Sequence, residues 1–105
     1  MTATATIPVT LVNVFTVEPE KQQVLLESLS ENTETVIKTL KGWISTSLIP
    51  SSDGKRIVIY SQWDSAADIA AMRMDPRMLA YFPKVAELSD SIDSTAGIIT
   101  VSHHR

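Results

Sequence analysis

Few side chains in this 105-residue sequence are equipped for chemistry, and the most conspicuous is an amide. Asn13 sits inside the run Val9-Thr10-Leu11-Val12-Asn13-Val14-Phe15-Thr16-Val17, where a period of two puts it on the same side as Leu11 and Phe15. A polar amide in that place either lines a polar pocket or is a structural group that has found its hydrogen-bond partners. Trp63, at the end of a second apolar run, is either core packing or an apolar pocket wall. Arg73 is either a solvated helix charge or a group that stabilises negative charge, and Tyr81 is either a packed aromatic with a wet hydroxyl or a phenol that does the same. No Ser-His-Asp set, glycine-rich phosphate loop or His-Glu-x-x-His motif occurs. The two histidines are adjacent, so on a strand His103 and His104 point to opposite faces and cannot chelate one metal without distortion; a solvated tail is expected.

The composition narrows the setting. Zero Cys excludes disulfides, zinc-thiolate and iron–sulfur sites and a Cys nucleophile, and suits a reducing cytoplasm. A net charge of −3 argues against non-specific binding to nucleic acid or an anionic membrane, both of which need a basic footprint. No window approaches the ~20 apolar residues of a membrane span, and the start has neither a basic nor an apolar targeting segment. With 44% hydrophobic and 20% charged residues, the chain reads as one soluble, cytoplasmic domain over residues 9–105 after a loosely ordered lead-in over residues 1–8.

The elements that must position Asn13 and Trp63 follow from pattern. Asp53-Gly54 is a strong hairpin turn signal, and Arg56 to Trp63 is rich in β-branched and aromatic residues. Ser65 fits an N-cap, its hydroxyl placed to accept from the amide of Asp68. Glu18-Pro19-Glu20 opens a long helix that Gly42 ends; unbroken to Lys41 it is about 34 Å long. Its apolar stripe is Val24, Leu25, Leu29, Val36, Ile37 and Leu40. Trp43 to Ile49 is a second strand. A short helix runs from Ser65 to Arg73, and Asp75-Pro76 restarts another as N-cap and N1, with Pro83 expected to kink or break it. The last strand is expected over Ala96 to Ser102.

The order is strand, helix, strand, strand, broken helix, strand. This is the α+β, ferredoxin-like βαββαβ pattern, a four-stranded antiparallel sheet with helices on one face. Ile57, Ile59 and Trp63 fall on one side of their strand, and Val58 and Tyr60 on the other. An apolar second face argues for an interface, so a homodimer is expected to close through it, with Tyr60 in that interface.

Asp53-Gly54, Tyr60-Ser61-Gln62-Trp63, the short helix and Asp75-Pro76-Arg77 together resemble the antibiotic biosynthesis monooxygenase family of dimeric α+β barrels, and the resemblance spans nearly the whole chain. It implies a small-molecule substrate and, in the quinone-forming branch, oxidation of polyketide anthrones without metal or flavin. In that branch a strand-one Asn and a strand-three Trp line the pocket, matching Asn13 and Trp63 as catalytic residues. The position of that branch's second pocket Asn is Ile59 here. The positions of the haem-degrading branch's distorting Trp and axial His fall on Met72 and Phe82, so haem degradation by that route is not expected, nor is any cofactor. Phe15, Ile59, Met72, Arg73, Tyr81 and Phe82 are the expected substrate-binding residues. A cofactor-free oxygenase needs a dry site that stabilises a phenolate or enolate, so that the electron-rich substrate itself reduces O2. The alternative is a non-catalytic small-ligand-binding dimer of the same fold, suggested by Ile59 and the scarcity of acids and bases.

Overall fold

A computed structural model describes residues 7–105; residues 1–6 of the expected lead-in lie outside the described residues. The elements run β1 (Val9–Thr16), α1 (Pro19–Thr35), one 3-10 turn (Ile37–Thr39), β2 (Trp43–Pro50), β3 (Arg56–Trp63), α2 (Ala66–Met74), α3 (Pro76–Leu88) and β4 (Ser91–Gly97). All four strands join one antiparallel sheet in the order β2-β3-β1-β4, the ferredoxin-like arrangement. No described helix is long and apolar enough to cross a membrane.

Local chemistry accounts for most boundaries. In the β2–β3 connection Gly54 takes a φ of 79°, and the Asp53 carboxylate accepts from the Lys55 amide at 3.0 Å and from the Ser51 hydroxyl at 2.7 Å. The Ser65 hydroxyl caps α2 by accepting from the Asp68 amide at 3.1 Å. The Asp75 carboxylate caps α3 by accepting from the Arg77 amide at 2.9 Å, with Pro76 at the first helical position.

Three boundaries differ from the sequence expectation. α1 stops at Thr35 instead of Lys41. The hydroxyls of Thr33 and Thr35 bond back to the carbonyls of Leu29 and Glu31, and the β-branched Val36 and Ile37 follow, so the helix gives way to the 3-10 turn. Gly42, at a φ of 85°, then reverses the chain, and a Cβ there would fall on the Asp68 side chain. α3 runs unbroken through Pro83, which lies on its exposed side, where water can take the carbonyl that the ring leaves without a donor. The last strand is Ser91–Gly97, not Ala96 to Ser102. β4 is an edge strand held by backbone pairing to β1, with every residue exposed; Ile98, Ile99 and Val101 fit the strand pattern but carry no strand and are 53%, 49% and 73% exposed. His103 and His104 lie in this irregular, exposed tail.

The helices pack on one face of the sheet. Two clusters form there, one of Phe15, Val17, Leu25, Leu29, Ile57 and Val85, the other of Leu11, Trp63, Ile69, Met72 and Met78. Tyr81 touches both. The opposite face carries Val12 and Val14 on β1, Val58 and Tyr60 on β3 and Ile49 on β2; the register sets Val12 beside Tyr60 and Val14 beside Val58. None of the five is fully buried, and Ile49 is 50% exposed.

Candidate functional site

The two core clusters are separated by a cavity of about 570 Å3, within the range of small-molecule sites. β1 and β3 form its floor and α1 and α3 its far wall. Leu11, Trp63, Met72 and Met78 line it from one cluster, and Phe15, Leu29 and Val85 from the other. All eight residues singled out from the sequence, Asn13, Phe15, Ile59, Trp63, Met72, Arg73, Tyr81 and Phe82, are in its wall. Arg73, Phe82, Ile92 and Ser94 are the exposed members and mark the mouth between the helices and β4.

Antiparallel register explains why Asn13 occupies the floor. It pairs with Ile59 on one side and Ser94 on the other, so all three side chains project toward the helices. The Ser94 hydroxyl donates to Asn13 Oδ1, and Arg73 Nη2 donates to Ser94 Oγ at 3.3 Å. The direction of this relay follows from its donors. A guanidinium only donates, so Ser94 Oγ accepts from it, and the Ser94 proton is free to go to the Asn13 carbonyl oxygen. The Asn13 Nδ2 group makes no hydrogen bond among the described residues and is left to the cavity. Asn13 is therefore a donor toward any ligand.

Trp63 is both core and wall, being 1% exposed while lining the cavity. Its indole N–H donates to Ser61 Oγ at 3.3 Å, and that hydroxyl donates to the Leu11 carbonyl, so Trp63 offers a ligand only its apolar ring. Tyr81 Oη shares a 2.8 Å hydrogen bond with Ser28 Oγ, tying α3 to α1. Partial burial raises the Tyr81 phenol above its usual value, with a smaller push from Glu31, against the lowering effect of the Ser28 bond. The phenol keeps its proton at neutral pH and serves as a hydrogen-bonding group rather than a base.

Among the described residues Arg73 and Tyr81 are the only titratable ones in the wall, with no Asp, Glu, His or Cys. Among the described residues no three such groups stand close enough to hold a metal. The arrangement can bind a small, largely apolar ligand and stabilise negative charge on its oxygen. Five polar wall residues were missed by the sequence reading, Asn32, Thr33, Thr46, Ser61 and Ser94; the place of Ser94 depends on a non-local register, and Asn32 of α1, 8% exposed, has its Nδ2 donating to Met78 Sδ at 3.4 Å.

The model of the antibiotic biosynthesis monooxygenase family matches residues 8–84, from the start of β1 through most of α3. Tetracenomycin-F1 monooxygenase of Streptomyces glaucescens is 47% identical over 73 residues, covering 70% of this chain and 65% of that protein, just under two thirds of its length. A monooxygenase of Streptomyces coelicolor, solved in complex with nanaomycin D, superposes with a TM-score of 0.84 at 21% identity over 94% of this chain and 93% of that one. An anthrone oxidase-like protein gives a TM-score of 0.78 at 25% identity, covering 85% of this chain and 38% of the other.

Proposed function

The chain belongs to the antibiotic biosynthesis monooxygenase family, and from that premise we propose that it is a cofactor-independent monooxygenase, oxidising an aromatic polyketide-like or other enolisable small molecule with O2. The observation that carries the reading is the polarity of Asn13 on the floor of a largely apolar cavity. Its carbonyl is held by Ser94, so its N–H groups meet a substrate oxygen and stabilise the enolate or phenolate as charge develops there. Trp63, Phe15, Ile59 and Met72 supply a dry wall that strengthens this interaction; Phe82 flanks the mouth and Arg73 adds positive charge beside it. Tyr81, protonated at neutral pH and hydrogen-bonded to Ser28, adds a neutral polar hydroxyl to the wall. The relatives' names support the substrate class: one acts on tetracenomycin F1, one binds nanaomycin D and one is called anthrone oxidase-like.

The chemistry closes without an external reductant. The substrate C–H proton leaves to solvent through the mouth, the enolate passes an electron to O2, and the two radicals combine at carbon as a peroxide. Loss of the second hydrogen with cleavage of the O–O bond leaves a carbonyl and releases water. One oxygen atom of O2 enters the product and the other becomes water, with all four electrons coming from substrate bonds.

The protein works as a homodimer in this reading, two sheets meeting through the face that bears Val12, Val14, Val58, Tyr60 and Ile49, which no helix covers. The test of the activity is oxygen uptake by metal-stripped protein with anthrones and dihydroxyaromatics. Uptake without added cofactor is expected, falling about 100-fold or more in Asn13→Ala, as when one oxyanion donor is removed, and falling also in Trp63→Phe. Ligand binding with no uptake above the spontaneous rate overturns the oxygenase and leaves a non-catalytic ligand-binding dimer.

A further inference from the structure

We infer that Asn32 is a specificity residue of this cavity, its carbonyl accepting a hydrogen bond from a hydroxyl on the substrate edge that faces α1; the inference rests on the cavity being the substrate site. Asn32 continues the buried stripe of α1 that holds Leu25 and Leu29, a position where packing alone asks for an apolar side chain. It is 8% exposed. Its orientation is set by chemistry: Nδ2 donates to Met78 Sδ, and a thioether sulfur only accepts, so Oδ1 is turned away from Met78. No hydrogen bond among the described residues reaches that oxygen, yet it is not sealed in protein as Thr10 Oγ1 is, and the residue lines the cavity. The neighbouring Thr33 does not relieve it, because the Thr33 hydroxyl is spent on the Leu29 carbonyl at 2.8 Å. An amide oxygen that opens on the cavity is met by water while the cavity is empty, and a ligand that displaces the water without replacing its hydrogen bond leaves the oxygen unpaired at a cost.

The cavity therefore has opposite polarity on its two walls. The floor offers the Asn13 donor, and the α1 wall offers the Asn32 acceptor. The matching ligand is an aromatic with an anionic or carbonyl oxygen on one edge and a free O–H on another. A ligand without that O–H, or with it capped as a methyl ether, leaves Asn32 Oδ1 unpaired, and sites built around a substrate hydroxyl discriminate strongly on that ground.

Binding alone tests this, apart from any turnover. Quenching of tryptophan fluorescence is titrated with 2-hydroxyanthraquinone and 2-methoxyanthraquinone, which do not react with O2, for wild type and Asn32→Leu. Wild type is expected to bind the hydroxyl compound about tenfold or more tightly than the methyl ether, and Asn32→Leu to bring the ratio close to one. Asn32→Leu is also expected to melt close to wild type, since the lost bond to Met78 Sδ is offset by an apolar side chain of similar size on the buried stripe. An unchanged ratio in a variant that still binds overturns the role of Asn32 and leaves the monooxygenase reading standing. A lower melting temperature with an unchanged ratio marks Asn32 as a structural partner of Met78. Failure of wild type to bind either compound removes the cavity as an aromatic site, and with it both readings.

Discussion

Replacing Ser94 by Ala tests whether the polarity of Asn13 is built or accidental. Ser94 is exposed and has no place in either core cluster, so its loss should leave stability within about 0.5 kcal/mol of wild type. What it removes is the hydroxyl that holds Asn13 Oδ1, together with the Arg73 guanidinium behind it. A neutral hydrogen bond contributes about 0.5–1.5 kcal/mol, so an amide released to present either end to the substrate should lower kcat/KM by about 2- to 13-fold. Removing the donor outright, as in Asn13→Ala, is the larger change, about 100-fold or more. The assay is the initial rate of oxygen uptake with an anthrone that the wild type turns over, with thermal melting as the check on folding. Ser94→Thr keeps the hydroxyl and should recover most of the rate. The decisive comparison is the double variant: if Ser94 acts only through Asn13, Ser94→Ala adds nothing in an Asn13→Ala background. Full activity in Ser94→Ala, or an undiminished Ser94 effect without Asn13, refutes the relay.

Two further outcomes follow from the same structure. Because folding raises the Tyr81 phenol above its usual value of 10.0, the native state holds that proton longer than the unfolded chain; the Tyr81 contribution is intact below that pH and is lost as pH rises through the folded value. Melting curves from pH 8 to about 11.5 should therefore fall more steeply for wild type than for Tyr81→Phe above the ordinary tyrosine range, and parallel curves would remove the burial argument. For the open sheet face, sedimentation at micromolar concentration should give a dimer for wild type and a folded monomer for Val58→Asp, which sets a charge beside Val14 on that face; a stable wild-type monomer sinks the interface.

Local signals in the sequence account for the elements they set. Ser65 and Asp75 cap α2 and α3 through side chains reaching amides two or three residues on, and alternation along β1 and β3 is enough to put Asn13, Phe15, Ile59 and Trp63 on one face. Misplacement of β4 has a clear cause. Ile98, Ile99 and Val101 look more like a strand than Ser91–Gly97 does, but β4 is fixed by ladder bonds to β1 and needs no apolar face of its own. The same non-locality hid Ser94, which meets Asn13 across 81 positions of sequence and lies beyond the residues the family model matches. Asn32 was hidden differently. Its signal was present, three residues past Leu29 on the buried stripe of α1, but a stripe traced by its apolar members alone passes over a polar one. In a cavity walled mostly by aliphatic, aromatic and thioether groups, such exceptions to the hydrophobic pattern are where specificity resides, because a dipole that the wrong ligand leaves unpaired discriminates more sharply than another methyl group does.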